Sequence, residues 1–212
     1  MKMHKGLLLL SAGIDSPVAG YLMLKKKVEL VCLHFDNQPL VNASAVEKVK
    51  RLIKKLKEYS EKPIKLYIVN HGRNQVEIIR NTDRRYQCVL CRRLMLKTAE
   101  NIAEKEKCSF LITGENLGQV ASQTIKNLTN SDKGVKITIL RPLLCNDKEE
   151  TVRLAKEIGT YGISTEAGMC CTAVPPNPIT KSRIERIEKE EGKLNIAKMI
   201  EKSLSEAEVL EI

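Results

Sequence analysis

Six consecutive residues, Ser11-Ala12-Gly13-Ile14-Asp15-Ser16, concentrate the chemistry of the N-terminal part of the chain. They follow an apolar run, Lys5–Leu10, and lead into helical periodicity from Ser16 to Lys26. Small residues let a backbone approach an anion, and Ser hydroxyls donate hydrogen bonds. A helix N-terminus adds unpaired N–H groups and a partial positive charge. Pro17 suits the first turn of such a helix. The dipole alone contributes about 0.3–1 kcal/mol at an exposed site, so several N–H contacts must act together. No Gly-Lys-Ser/Thr ending follows, which excludes a Walker A loop. The segment is read as a pyrophosphate-binding loop; the plainer alternative is a tight strand-to-helix turn capped by Ser16.

A second group is built on sulfur. Cys88-Val89-Leu90-Cys91 is a CxxC, and Cys170-Cys171 lies far downstream. Such a pair could be a redox couple, half a zinc site or an iron–sulfur anchor. Cys88, Cys91, Cys170 and Cys171 could supply four zinc ligands, although adjacent cysteines rarely share one tetrahedral ion. Cys32, Cys108 and Cys145 lie in or beside apolar segments and read as core thiols. Arg84, Arg85, Arg92 and Arg93 bracket the CxxC and could hold phosphates near it. Lys48, Lys50, Arg51, Lys54, Lys55 and Lys57 crowd one helix, which reads more simply as a solvated face.

Elements must bring these groups together. The 212 residues are 42% hydrophobic with only 3% aromatic and no Trp, so an aliphatic core of domain size is expected. Strand-like runs occur at Lys5–Leu10, Glu29–Phe35, Ile64–Val69, Ser109–Thr113 and Ile137–Leu140. Helical patterns lie between them, near Ser16–Lys26, Ala43–Tyr59, Gln75–Asn81, Arg92–Lys105, Leu117–Leu128 and Lys148–Ile158. This alternation predicts an α/β fold with a doubly wound, mostly parallel five-stranded sheet. Ligands then sit beyond the carboxyl ends of the strands, where both groups fall. Gly159–Thr180 reads as a structured loop, and Thr180–Leu204 regains helical periodicity divided at Gly192. Residues 1–180 are therefore expected to form one phosphate-binding α/β domain, with 181–212 a helical extension packed on it.

The formal charge of +10 points to an anionic partner such as nucleic acid or nucleotide phosphate. No apolar stretch approaches the roughly 20 residues of a membrane span. Leu7–Leu10 is too short for a signal-peptide core. Seven cysteines, an odd number, argue against a disulfide framework. A cytoplasmic location without membrane attachment is expected.

The Ser11–Ser16 segment resembles the SGGxDS motif of the PP-loop ATP pyrophosphatases, of the adenine nucleotide alpha-hydrolase fold. These enzymes cleave ATP between the α- and β-phosphates and transfer AMP to a substrate oxygen. Ala12 stands where they usually carry Gly, and a positive φ there would strain it. The resemblance narrows to the catalytic domain of ThiI-type tRNA 4-thiouridine synthetases. It is carried in order by Leu33-His34-Phe35, Arg92-Arg93, the segment Thr113 to Thr124, Arg141-Pro142-Leu143, Asp147-Lys148-Glu149-Glu150 and the segment Cys171 to Pro178.

That resemblance implies ATP contacts from Leu9, Leu10, Ser11, Gly13, Asp15 and Ser16. His34 and Phe35 would flank the adenine, with Arg92, Gly114 and Gln123 completing the pocket. Asp15 would support catalysis through Mg²⁺, which bridges phosphates using few protein ligands. Cys171 would be the reactive cysteine. Some archaeal relatives with a CxxC use a [4Fe–4S] cluster, which implies Cys88, Cys91 and Cys171 as its ligands. The alternatives are zinc, or metal-free persulfide chemistry on Cys171 resolved by Cys88 or Cys91. RNA contacts would fall on Arg84, Arg85 and Arg93. The implied activity is that of an ATP-dependent tRNA sulfurtransferase: a uridine carbonyl oxygen is adenylated, and sulfur then displaces AMP. The implied partners are tRNA, delivered through a separate THUMP-domain subunit, a donor of sulfide or persulfide, and a second copy in a homodimer. Two rival readings are ATP-dependent thiolation or amidation of a small molecule or sulfur-carrier protein, and a non-catalytic nucleotide-binding subunit of a split complex.

Overall fold

The computed structural model describes residues 4–40, 44–167 and 175–212. Five parallel strands form its centre: β1 (Lys5–Leu9), β2 (Glu29–Asp36), β3 (Lys65–Asn70), β4 (Phe110–Ile112) and β5 (Thr138–Leu140). A sixth, β6 (Glu208–Glu211), pairs antiparallel with β3. The order across the sheet is β5-β4-β1-β2-β3-β6. The chain moves outward from β1 to β3, then returns to place β4 on the other side of β1. The switch point therefore lies between β1 and β4, where α/β sheets open a crevice at their carboxyl ends.

Helices cover both faces: α1 (Asp15–Lys25), α2 (Ser44–Lys57), α3 (Gly72–Asn81), α4 (Gln87–Lys105), α5 (Ile125–Asp132), α6 (Lys148–Glu157), α7 (Tyr161–Thr165), α8 (Ile184–Glu191) and α9 (Ile196–Ser205). Successive strand side chains point to opposite faces, and β1 uses both. Leu8 joins Val18, Ile53 and Ala155 beneath α1, α2 and α6. Leu7 joins Leu96, Ala99 and Ile102 beneath α4. Each fully buried Leu of this kind contributes about 1.5–3 kcal/mol. A third cluster, with Ile78, Leu94 and Ile187, fastens α8 to α3 and α4.

The expectations need three corrections. The sheet has six strands, not five, because the segment after α9 returns to the edge of β3. Ile64 and Ile212 exchange backbone hydrogen bonds of 2.9 and 3.0 Å at the end of this pairing. Residues 181–212 are accordingly two helices and a strand rather than a purely helical extension. Lastly, α4 begins at Gln87 and α5 at Ile125, so the CxxC is helical while residues 117–124 are mostly loop. Gly192 does divide the C-terminal helical region, as the C-cap of α8.

Candidate functional site

β1 feeds directly into the Ser11–Ser16 loop, which closes on itself. Ser11 N–H donates to Ser16 Oγ at 2.9 Å, and the two hydroxyl oxygens lie 3.0 Å apart. Gly13 N–H donates to Ser11 Oγ at 3.3 Å. No side chain caps α1, so its first-turn N–H groups remain available to an anion. Among the described residues other than Gly, only Lys27 and Lys107 have positive φ. Ala12 is therefore accommodated without the strain considered above.

Two adjoining cavities flank this loop. One, of about 290 Å³, is lined by Ser11, Asp15, Ser16, Arg92, Gly114 and Gln123. The other, of about 220 Å³, is lined by Leu10, Ala12, His34, Phe35 and Asn37. Leu9, Ser11 and Met95 border both. The residues expected around ATP thus gather at the carboxyl ends of β1, β2 and β4, with Gly13 on the loop itself. Gly114 is required by close approach: a Cβ there would lie 2.6 Å from the Ser16 backbone nitrogen and Cα.

Hydrogen bonding and charge organise the walls. His34 Nδ1 lies 2.9 Å from the Leu10 carbonyl oxygen, so Nδ1 carries the proton and Nε2 is left as a buried acceptor. Burial lowers the His34 pKa despite the Leu10 hydrogen bond and nearby Asp36, which favours the neutral ring. Lys148 Nζ, on the first turn of α6, donates to Asp15 Oδ1 at 2.6 Å. Arg92 binds Glu115 through Nε and through Nη2, the latter at 2.7 Å. Arg141 Nε donates to Glu115 at 2.9 Å, and its Nη2 reaches both Asp132 oxygens at 2.7 and 2.8 Å. Burial works against the Arg92 charge, but Glu115 and Asp132 outweigh it and raise the guanidinium pKa. Burial likewise opposes ionised Glu115, while Arg92 and Arg141 hold its pKa below the carboxylate norm. Lys148, Glu115, Arg141 and Asp132 were missed as site residues. Their segments were visible in the sequence, but their mutual contacts join positions far apart along it.

The CxxC occupies the first turn and a half of α4. Cys88 and Cys91 are three residues apart and so share a helix face. Cys91 Sγ lies 3.1 Å from His71 Nε2, and Gln75 Nε2 donates to it at 3.5 Å. His71 is fully buried, and burial pushes its pKa down to about 4. An uncharged ring with Nδ1 buried and without a hydrogen bond favours a proton on Nε2, directed at Cys91. Cys91 Sγ also sits 4.0 Å from Met95 Sδ, a side chain bordering both cavities. Cys91 sulfur accepts two N–H bonds and has a second thiol three residues earlier on α4, a donor set that suits metal ligation. Cys170 and Cys171 lie outside the described residues. Among the described residues no three His, Cys, Asp or Glu side chains form a metal-binding group. Asp15 suits Mg²⁺, which takes one or two carboxylates together with phosphates.

The basic residues separate into different roles. Arg84 and Arg85 are exposed on a 3₁₀ turn, with Arg85 bound to Asp83 at 2.7 Å. Arg93, expected to touch RNA, is 4% exposed and binds Glu191 and the Asn130 carbonyl; it braces α4 against α5 and α8. On α2, Lys48 and Arg51 are engaged by Glu166. Burial raises the thiol pKa of Cys32 to about 12 and that of Cys108 to about 11, as expected for core thiols. Cys145 is instead exposed.

Comparison with known proteins accords with this geometry. Over 98% of its length the chain is similar to proteins named probable tRNA sulfurtransferase. It is 41% identical to that of Finegoldia magna and 44% identical to that of Halothermothrix orenii, covering 54% and 53% of them. The chain thus spans about half the length of the curated relatives it matches. Among solved structures, it is similar to the crystal structure of a 4-thiouridine synthetase–RNA complex with bound ATP. The TM-score is 0.95 with 39% identity, covering 99% of this chain and 55% of that one. Residues 2–196 match the family described as thiamine biosynthesis protein (ThiI), and the chain belongs to that family.

Proposed function

We propose that this chain is the ATP-dependent catalytic unit of a tRNA sulfurtransferase that converts a uridine to 4-thiouridine. One observation carries the reading. Cys91 Sγ is 4.0 Å from Met95, and Met95 borders both cavities at the Ser11–Ser16 loop. A phosphate-binding loop and a thiol motif are therefore separated by one side chain.

In this reading the adenine lies by Phe35 and His34, whose Nε2 suits an amino-group donor. The phosphates lie over Ser11, Gly13 and Ser16, at the N-terminus of α1. Leu9, Leu10, Gly114 and Gln123 complete the walls. The uridine carbonyl oxygen attacks the α-phosphorus, and the bond to pyrophosphate breaks. Arg92 and Lys148 offset the negative charge that develops there. Sulfur then attacks the activated carbon, and AMP leaves with the former carbonyl oxygen. Mg²⁺ held by Asp15 would neutralise phosphate charge. An iron–sulfur cluster on Cys88, Cys91 and Cys171 would present sulfide; Cys171 persulfide is the metal-free alternative. The sulfur comes from sulfide or a persulfide carrier. The unstrained backbone at Ala12 supports a catalytic reading over that of a non-catalytic subunit. The products of ATP turnover with unmodified tRNA test the adenylation step. AMP and pyrophosphate are expected; ADP and phosphate would overturn it.

A further inference from the structure

We infer that the surface formed by residues 179–183, the first turn of α5 and the Arg84 turn is the RNA-docking face of this domain. The inference rests on the proposed RNA substrate and adds where that substrate lies. Residues 179–182 are pinned between two elements. Ile179 N–H donates to the Arg85 carbonyl at 2.9 Å. On the other side Thr124 Oγ1 donates to the Thr180 carbonyl at 2.7 Å, and Asn127 Nδ2 to the Ile179 carbonyl at 2.8 Å. Asn127 Oδ1 accepts from Ser182 N–H at 3.1 Å, and Ser182 is completely buried. Lys181 and Arg183 flank Ser182 and are exposed.

Charge selects the occupant. Among the described residues Arg84, Lys126, Lys181 and Arg183 are exposed and form no salt bridge. Of the neighbouring carboxylates, Asp83 is engaged by Arg85, Glu190 by Lys193, and Glu191 by Arg93 and Lys97, while Glu185 and Glu188 on α8 are exposed beside Arg186 and Lys189. Unmatched cations held on a fixed backbone suit a phosphate chain. Apolar side chains stand beside them: Ile125 is 71% and Val120 53% exposed, on either side of Gln123. Exposed apolar surface next to cations suits unstacked bases, and single-stranded or splayed nucleotides present them. Gln123 lines the nucleotide cavity, and Arg84 lies four residues before Cys88. The face therefore borders both the activation site and the thiols, where a target nucleotide must pass from one chemistry to the other.

The test is equilibrium binding of an unmodified tRNA transcript to the protein across a salt series, with ATP binding measured in parallel. The triple variant K126E/K181E/R183E should lose tenfold or more in affinity. Its log–log salt slope should fall by roughly 0.7 for each phosphate contact removed, the value for a single strand. I125S should weaken binding without changing the slope. ATP affinity should remain that of the parent in both. The control K54E/K57E, on α2, should bind RNA within about twofold of the parent at physiological salt, where distant charges are screened. Equal losses in the control and the triple variant would overturn the inference, as would full retention of binding by the triple variant. A parent protein that binds ATP but no RNA would instead remove the RNA substrate from the proposed function, and this face with it.

Discussion

At the residue scale the site depends on close approach and on matched charge. Gly114 abuts the backbone of Ser16, so Gly114→Ala must displace either the loop or the start of α1. A shift of about 1 Å near reacting groups can cost roughly 10²-fold in rate. Pyrophosphate release by Gly114→Ala should fall by that order, while the thermal midpoint moves little. Arg92→Ala would leave Glu115 and Asp132 dependent on Arg141 alone. Breaking a largely buried pair costs about 3 kcal/mol, which urea unfolding would show. Arg92→Lys should recover only part of this loss, because a single ammonium lacks the fork that holds both Glu115 oxygens. Away from the site, Glu106 accepts from Lys5, Lys65 and Tyr67 at the opposite end of the strands. Burial alone would raise its pKa, but Lys65, Tyr67 and Lys5 hold it at about 2, below the ordinary 4.5. The group therefore stabilises the fold fully above pH 4.5, and that contribution is lost as pH falls towards 2. Glu106→Gln should unfold more readily at neutral pH and show a flatter stability–pH curve across that window.

At the element scale, the sequence revealed strands by continuous apolar composition and helices by period. Leu7 and Leu8 are each buried on opposite faces, so β1 could only be a central strand. The same logic hid β6: Glu208-Val209-Leu210-Glu211 is four residues long with carboxylates at both ends, as suits an edge. Its place is set by pairing with β3 over a long sequence separation. The start of α4 was hidden for another reason. A CxxC suggests a metal loop, yet Val89, Leu90 and Leu94 are buried against Ile78 and Ile187, and this packing extends the helix back to Gln87. The phosphate loop was legible as a local motif, whereas His34, Phe35, Arg92, Gly114 and Gln123 were implied only by the ordered family resemblance; all five line the two cavities. His71 was not legible, because its relation to Cys91 exists only across the contact between the start of α3 and α4. Deleting residues 207–212 should expose the β3 edge. The expected cost is on the order of 1 kcal/mol for each hydrogen bond lost, measurable as a lower urea midpoint and increased association.

At the scale of the molecule, the formal charge of +10 includes cations in different structural settings. Lys48 and Arg51 fasten α2 to Glu166, and Arg93 is buried against Glu191, while among the described residues Arg84, Lys126, Lys181 and Arg183 are exposed and form no salt bridge. Sheet topology gathers the rest, because the β1–β4 switch point places the phosphate loop, Gly114 and Arg92 around one opening. Helix α4 then links that opening to the thiols. The most direct test of this coupling is an anaerobic reaction of the protein with ATP, sulfide and unmodified tRNA, in which pyrophosphate and 4-thiouridine are both quantified for the parent and for Cys171→Ala. The parent should form both products, and the variant should release pyrophosphate while forming no 4-thiouridine. Undiminished 4-thiouridine from Cys171→Ala, or no pyrophosphate from the parent, would contradict the coupling of adenylation to thiol chemistry in this cleft.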